Sequence, residues 1–136
     1  MINNDIVSGF DEEKDENLEI VLEKIPALEG GLVLILNGII DTYNSGSFQK
    51  RVTKAIDSGF IRLIFNCGSL NNISSTGIRS FSMFLKAVKS KGGDVILLNI
   101  QPKVHEVFQL LGFSHFFTTK DNLADSVRFF TGGTAQ

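Results

Sequence analysis

Short apolar runs alternate with amphipathic helical patterns along this chain, and this alternation limits the possible folds more than any other feature. Three runs have the length and residue types of buried β-strands: Leu32–Leu36, Ile61–Asn66 and Val95–Leu98. After each run, apolar residues recur every three or four positions, as on one face of a helix. Strand–helix–strand repeats build parallel sheets with right-handed crossovers, so the sequence predicts an α/β fold with one mostly parallel sheet.

A further strand is expected near the N-terminus. Leu18–Glu23 shows partial alternation of apolar and polar residues, and the turn-forming segment Pro26–Gly31 separates it from the next run. This pattern predicts an antiparallel strand that joins the sheet through a hairpin. Phe116–Thr119 is a candidate edge strand before a last helix capped by Asp121. The predicted order is β-β-α-β-α-β-α(-β)-α in a single mixed sheet.

Apolar stripes and end signals place the helices. The first is predicted from Ser45 to Ser58, the second ends near Lys89, and the third begins at Pro102. The first helix carries basic side chains that are predicted to form a solvated face and could also engage an acidic partner: Lys50, Arg51 and Lys54.

Composition fits one ordinary globular domain. Of the 136 residues 43% are hydrophobic and 21% charged, and the net charge of −2 favours neither a nucleic-acid partner nor an anionic membrane. We predict a domain over residues 18–130, preceded by an acidic, largely solvated lead-in at residues 1–17 and followed by a flexible tail at residues 131–136.

No apolar run is long enough to span a bilayer, no secretory signal pattern is present, and a lone Cys67 suits a reducing compartment. A cytoplasmic location is therefore expected.

Three consecutive hydroxyl residues, Ser74, Ser75 and Thr76, lie between a strand-like run and the second helix. A side-chain oxygen at a helix start accepts a hydrogen bond from the free backbone N–H groups and so caps the helix. The same N–H groups and the helix dipole also favour a phosphate, which makes these hydroxyls candidate phosphorylation sites. The residues by themselves are compatible with either role.

Polar segments follow three neighbouring strands: Gly38–Asn44, Asn66–Gly77 and Asn99–Pro102. Because the carboxyl ends of parallel strands meet at one edge of a sheet, we expect the three segments to form a common surface. Gly77 is expected to let a partner backbone approach closely. The candidate partner-binding or ligand-binding residues are Asp41, Thr42, Asn44, Ser74, Ser75, Thr76 and Gly77.

An ordered set of short motifs carries a family resemblance. The motifs are Gly38 with Asp41-Thr42-x-Asn44, Ile61–Asn66, Ile73–Ile78, Gly92-Gly93-Asp94, and Val107–Phe113. In this order and spacing they resemble the STAS domain, named for sulfate transporters and anti-sigma factor antagonists. The similarity extends over nearly all of residues 18–130 and implies a STAS-like α/β fold.

The chain resembles the stand-alone anti-sigma factor antagonists, and that resemblance implies partner switching. The family's regulatory phosphorylation site maps onto Ser75. The unphosphorylated protein captures an anti-sigma factor that is also a serine kinase; phosphorylation ends the capture, and a serine phosphatase restores it. The resemblance implies a cytoplasmic regulator, a monomer or weak dimer, with no enzymatic activity of its own and no cofactor.

Two positions depart from the family pattern. Asn66 and Ser74 stand where aspartates are common, so two negative charges close to Ser75 are missing. Less repulsion would make a phosphate easier to hold. If those carboxylates instead orient the substrate for the kinase, the chain would be a poor substrate or a rarely modified scaffold.

Other function classes are weaker or remain as alternatives. The sequence lacks phosphate-loop, dinucleotide-binding and nucleophile-elbow motifs, so an enzyme is not expected. His105 and His115 are too isolated to predict a metal site. The remaining alternatives are a scaffold subunit of a multi-protein sensory assembly and a regulatory domain that binds a small ligand or nucleotide.

Overall fold

A computed structural model describes residues 2–132 and contains one five-stranded sheet. Its strands are β1 Leu18–Lys24, β2 Gly31–Ile40, β3 Arg62–Ile73, β4 Asp94–Leu98 and β5 Thr118–Lys120. They are ordered β1-β2-β3-β4-β5 across the sheet; β1 pairs with β2 antiparallel, and every other pairing is parallel. The predicted mixed α/β sheet is confirmed.

Helices cover both faces of the sheet. They are α1 Ile2–Ile6, α2 Ser45–Asp57, α3 Ser75–Lys89, α4 Pro102–Leu110 and α5 Leu123–Thr131, with 3-10 turns at Phe10–Glu13 and Ser114–Phe116. Alternate residues of β4 show the two faces: Val95 and Leu97 join the core under α2, α3 and α4, whereas Ile96 and Leu98 belong to a smaller core against α5. This alternation is the period of two that a strand buried on both faces requires.

Phenylalanine rings fill the centre of the larger core. Phe81 of α3 lies between Phe48 of α2 and Phe65 of β3, with ring centroids 5.4 and 4.9 Å away, both at steep interplanar angles. Phe108 and Phe117 extend the cluster to the far end of the sheet, at 5.9 and 6.4 Å from Phe81. Edge-to-face contacts of this kind add to the area-based stabilisation of a core.

The segment expected to form a loop at Asn66–Gly77 is mostly strand. β3 continues to Ile73, and its second half pairs with the end of β2 through register shifts near Asn37 and Gly38. Leu70 and Ile73 face the core, while Asn71 and Asn72 are exposed. The polar residues that suggested a loop are therefore the solvent-facing positions of an irregular strand.

The N-terminal segment is packed against the domain, so the prediction of a largely solvated lead-in is wrong for its apolar residues. Val7 and Phe10 are fully buried in the larger core. The Arg51 guanidinium of α2 is buried beneath this segment, 3.2 Å from Asp11, donates to the Leu18 carbonyl and stacks over the Phe10 ring. Because this segment covers α2, the prediction that Arg51 faces solvent is also wrong.

Asn3 covers the outer edge of β1. Its side-chain amide donates to the Ile20 carbonyl at 2.7 Å and accepts from the Leu22 N–H at 2.9 Å. One side chain thus supplies the pair of hydrogen bonds that a neighbouring strand would make. Exposed strand edges invite pairing with other chains, and Asn3 reduces that exposure.

The last elements differ slightly from the predicted bounds. β5 begins at Thr118, after a 3-10 turn that contains Phe116. Asn122 rather than Asp121 caps α5, because its side chain accepts from the Asp125 N–H. Of the predicted flexible tail, Thr131 ends α5, and residues 133–136 lie outside the described part of the chain.

Candidate functional site

Two of the three predicted polar segments meet at the carboxyl ends of β2 and β3. Ile40 and Ile73 are paired, and the Ser74 N–H donates to the Ile40 carbonyl at 2.8 Å. The two parallel strands therefore end side by side. The turn that begins at Asp41 and the hydroxyl residues at the start of α3 follow directly from them.

The first hydroxyl caps the helix. Ser74 has extended backbone angles, and its Oγ accepts from the Gly77 N–H at 3.1 Å. It also lies 2.8 Å from Thr76 Oγ1, so Ser74 and Thr76 form a hydroxyl pair. These contacts satisfy part of the unpaired helix start.

The second hydroxyl has no such role. Ser75 is the first residue of α3, its side chain is exposed, and its Oγ has no hydrogen-bond partner among the described residues. Arg79, one turn later, is exposed as well and lies on the same side of the helix. Of the two neighbours, only Ser74 caps the helix, and the exposed Ser75 hydroxyl takes no part in the cap.

This division predicts different effects of two alanine substitutions. Ser74→Ala removes the cap and should lower the free energy of unfolding by about 1 kcal/mol. Ser75→Ala removes no hydrogen bond within the described residues and should change it by less than about 0.5 kcal/mol. Urea unfolding of both variants measures the difference, and equal losses would contradict the assignment of the cap to Ser74.

The Asp41 segment forms a closed turn. Asp41 Oδ1 accepts from the N–H groups of Tyr43 and Asn44, and the Asn44 side chain accepts from the Asp41 N–H at 2.8 Å. Asn44 is buried and also donates to the Ile39 carbonyl and to Asp15. Its role here is to hold the turn, whereas Thr42 and Tyr43 are exposed on its outer side.

Gly77 has a packing role that differs from the expected one. It is buried, and a Cβ atom placed on it would lie 2.7 Å from Ile40 Cγ2 and 2.8 Å from Ile73 Cγ1. The glycine lets α3 approach the ends of β2 and β3, so the close approach is made by the protein's own strands.

Gly77→Ala should therefore lower the free energy of unfolding by about 1–3 kcal/mol, because the isoleucines must shift to admit the methyl group. Gly46→Ala on α2 is a matched control, since its Cβ would meet no atom within 4 Å. Thermal unfolding compares the two variants; an equal and small effect would contradict the tight packing at Gly77.

The third predicted segment lies elsewhere. Because β3 runs on past the end of β4, Gln101 contacts the middle of β3 and donates to the Gly68 carbonyl at 2.8 Å. Gly68 precedes Ser75 by seven mostly extended residues, roughly 20 Å. Asn66 comes two residues earlier in β3, so the expectation that it lies close to Ser75 is wrong. The candidate surface therefore consists of the turn after β2 and the start of α3.

The remaining reactive groups lie outside this surface or are inaccessible. Cys67 is buried in β3, and burial raises the pKa of its thiol to about 12. Within residues 2–132 no group of three or more histidine, cysteine or acidic side chains is arranged to hold a metal ion. None of the helices in this range has the length and apolar character needed to cross a membrane.

Known proteins are similar to this chain in sequence and in fold. A Bordetella bronchiseptica protein named "Putative anti-sigma factor antagonist BtrV" is 28% identical over 100 residues, covering 74% of this chain and 84% of the relative. The anti-sigma factor antagonist SpoIIAA in its unphosphorylated form has the same fold, with a TM-score of 0.73, 21% identity, and coverage of 86% of this chain and 100% of SpoIIAA.

The structure of the phosphorylated form of SpoIIAA, described as a Bacillus cell fate determinant, also matches. Its TM-score is 0.59 at 21% identity, with coverage of 76% of this chain and 93% of that chain. The family model of the STAS domain matches residues 19–126. This range includes α2, α3, α4 and all five strands except the first residue of β1. The chain therefore belongs to the STAS domain family.

Proposed function

We propose that this protein is an anti-sigma factor antagonist that works by phosphorylation-controlled partner switching. In its unphosphorylated form it binds an anti-sigma factor serine kinase through the surface formed by Thr42, Tyr43 and the start of α3. The observation that carries the proposal is the exposed, unpartnered hydroxyl of Ser75 beside a separate helix cap. Such a hydroxyl can be modified without loss of the cap.

A phosphate on Ser75 acts by charge. It adds about −1.5 to −2 charges at neutral pH, which the start of α3 tolerates. In a docked interface the same dianion would lose its water and meet groups arranged for a neutral hydroxyl. Each loss of about 1.4 kcal/mol weakens binding tenfold, so one phosphate can disrupt the complex while the domain stays folded.

The surroundings of Ser75 favour the phosphorylated state of the protein. Ser74 caps the helix as an aspartate would, but without adding a negative charge next to the phosphate. Arg79 provides a cation one turn away on the same side of α3. We infer that phosphorylation here gives a persistent signal, which a serine phosphatase must reverse.

Two relatives support this role. The BtrV protein carries the name of an anti-sigma factor antagonist, and SpoIIAA is known in unphosphorylated and phosphorylated forms. In the proposed cycle the kinase binds ATP and transfers its γ-phosphoryl group to Ser75 Oγ, releasing ADP. This chain is the substrate and ligand of the kinase and needs no cofactor. Such a cycle operates in the cytoplasm, where ATP is available, with the protein as a monomer or weak dimer.

Affinity capture from a lysate of the native source tests the proposal. Wild-type, Ser75→Ala and Ser75→Asp proteins serve as baits, and bound proteins are identified by mass spectrometry. We expect wild type and Ser75→Ala to retain a serine kinase, and Ser75→Asp to lose it at least tenfold at an unchanged melting temperature. The charge at position 75 would then be the cause, because the fold is intact.

Thr53→Asp on α2 is a control for a negative charge on an exposed helix position away from the site. It should keep the kinase. Capture of the same kinase in equal amounts by all three baits would mean that Ser75 is not the switch.

A further inference from the structure

The structure contains an apolar groove between α3 and the 3-10 turn that follows α4. We propose that this groove, here called the α3–Phe116 groove, is a second docking surface that binds an acidic amphipathic segment of a protein partner. It encloses about 290 Å³ and is lined by Ser82, Leu85, Lys86, Lys89, Phe113 and Phe116. The proposal is independent of the phosphorylation of Ser75.

The apolar side chains that line the groove are left partly uncovered by the fold. Phe116 is 64% exposed, and its ring centroid is 6.1 Å from that of half-buried Phe113. Leu85 of α3 packs on the edge of the larger core. An aromatic pair on the surface is a strong source of binding energy when a partner side chain covers it.

Backbone hydrogen bonds hold the two rings in place. The Phe113 N–H donates to the Phe108 carbonyl at 2.9 Å, at the end of α4, and the Phe116 N–H donates to the Phe113 carbonyl at 3.1 Å. Phe108 is itself buried in the phenylalanine core. The short segment that carries the two rings is therefore tied to the end of α4 and is not a long loop.

The polar rim of the groove is positive. Lys86 and Lys89 of α3 line it, and no carboxylate from residues 2–132 does. Lys89 is 3.4 Å from Asp94, whereas the Lys86 ammonium has no ion-pair partner among the described residues. Charge complementarity therefore calls for acidic residues in the partner, flanking the apolar side chain that enters the groove.

The size and position of the groove define the occupant further. A volume of about 290 Å³ admits one or two large apolar side chains. An amphipathic helix presents such side chains on neighbouring turns of one face. Lys86 follows Ser75 by eleven helical positions, about 17 Å along α3. A segment seated in the groove can therefore bind without covering Ser75.

A pair of labelled peptides tests the proposal. The first is a 12-residue amphipathic helical peptide with Phe and Leu four positions apart and Glu on its polar face; the second has Lys in place of every Glu. Fluorescence anisotropy gives their affinities for the full-length protein, and amide NMR shifts locate the bound site. We expect the acidic peptide to bind at least tenfold more tightly and to shift the amides of Leu85, Lys86, Phe113 and Phe116.

Substitutions on and off the groove separate the alternatives. Phe116→Ser and Lys86→Glu should each weaken the acidic peptide at least tenfold, whereas Leu110→Ser and Lys91→Glu, at exposed positions that do not line the groove, should not. Ser75→Asp should bind the peptide like wild type, whether or not it captures the kinase. The peptide test and the phosphorylation test can therefore fail separately.

Three results would overturn the proposal. The first is equal binding of the acidic and basic peptides, and the second is shifts confined to another surface. The third is absence of binding by the acidic peptide. Phe116-dependent binding to phosphatidylserine vesicles would then assign the groove to a membrane surface.

Discussion

Phe81→Ala is expected to lower the free energy of unfolding by about 3–5 kcal/mol, the range for truncating a fully buried phenylalanine. Phe81 is fully buried, and its ring lies within 6.4 Å of five others, contributed by α2, β3, α3, α4 and the segment before β5. Its loss leaves a cavity at the junction of these elements. Guanidinium unfolding followed by circular dichroism measures the effect.

Met83→Ala is the matched control for that experiment. Met83 lies two positions further along α3, is 44% exposed, and faces away from the core. The substitution should change the free energy of unfolding by less than about 0.5 kcal/mol, because little apolar surface is lost and alanine is a good helix former. Similar losses for the two variants would contradict the inward orientation of Phe81.

Asp11→Ala has the second large expected effect, a loss of about 3 kcal/mol in the free energy of unfolding, because it leaves a buried charge without its partner. Burial lowers the pKa of the Arg51 guanidinium, and the Asp11 carboxylate opposes that shift. Arg51 is 2% exposed and has an Nε–H with no hydrogen-bond partner in the described structure. The guanidinium remains charged. Without Asp11 it keeps the Leu18 carbonyl and the Phe10 ring but loses its carboxylate contact at 3.2 Å.

A double substitution distinguishes a buried ion pair from simple packing. Asp11→Leu with Arg51→Met removes both charges and should recover most of the stability lost in Asp11→Ala, because paired hydrophobic residues often replace a buried pair at little cost. Glu12→Ala is the control, since Glu12 pairs with Lys54 at the surface and should contribute less than about 1 kcal/mol. A large loss in the double variant would contradict the ion-pair account.

The sequence predicted the sheet because its strands and helices have distinct periods. The continuous apolar run at Val95–Leu98 indicates a strand buried on both faces, as β4 is. The stripe through Phe81 and Val88 indicates a helix buried on one face, as α3 is. The sequence could not predict the second half of β3. Asparagines such as Asn71 and Asn72 are typical of turns, and the sequence does not show which strand they pair with. Their pairing with the end of β2 is a long-range effect.

The N-terminal segment was misjudged for a related reason. Its many carboxylates suggested solvation, but two apolar residues and Asn3 anchor it to the domain. The binding partner of Asp11, Arg51, lies forty residues away, and local sequence patterns contain no signal for such a pair.

The sequence predicted that polar segments would meet at one edge of the sheet, and two of the three do. Ser75 and the Asp41 turn do come together, because the ends of parallel strands meet at one edge of the sheet. The separate roles of Ser74, Asn44 and Gly77 required side-chain geometry: a serine cap, a buried amide and a glycine beneath two isoleucines. Residue type alone does not distinguish a hydroxyl that caps from one that is free.

ATP-driven release of the captured kinase is the most direct test of partner switching. The complex of purified kinase and protein is incubated with ATP and Mg²⁺, and its dissociation is followed while intact mass records phosphate addition. We predict that wild type gains one phosphate on Ser75 and leaves the kinase, whereas the Ser75→Ala complex gains none at this position and persists. Release of Ser75→Ala at the wild-type rate, or a phosphorylated wild type that stays bound, would contradict the account.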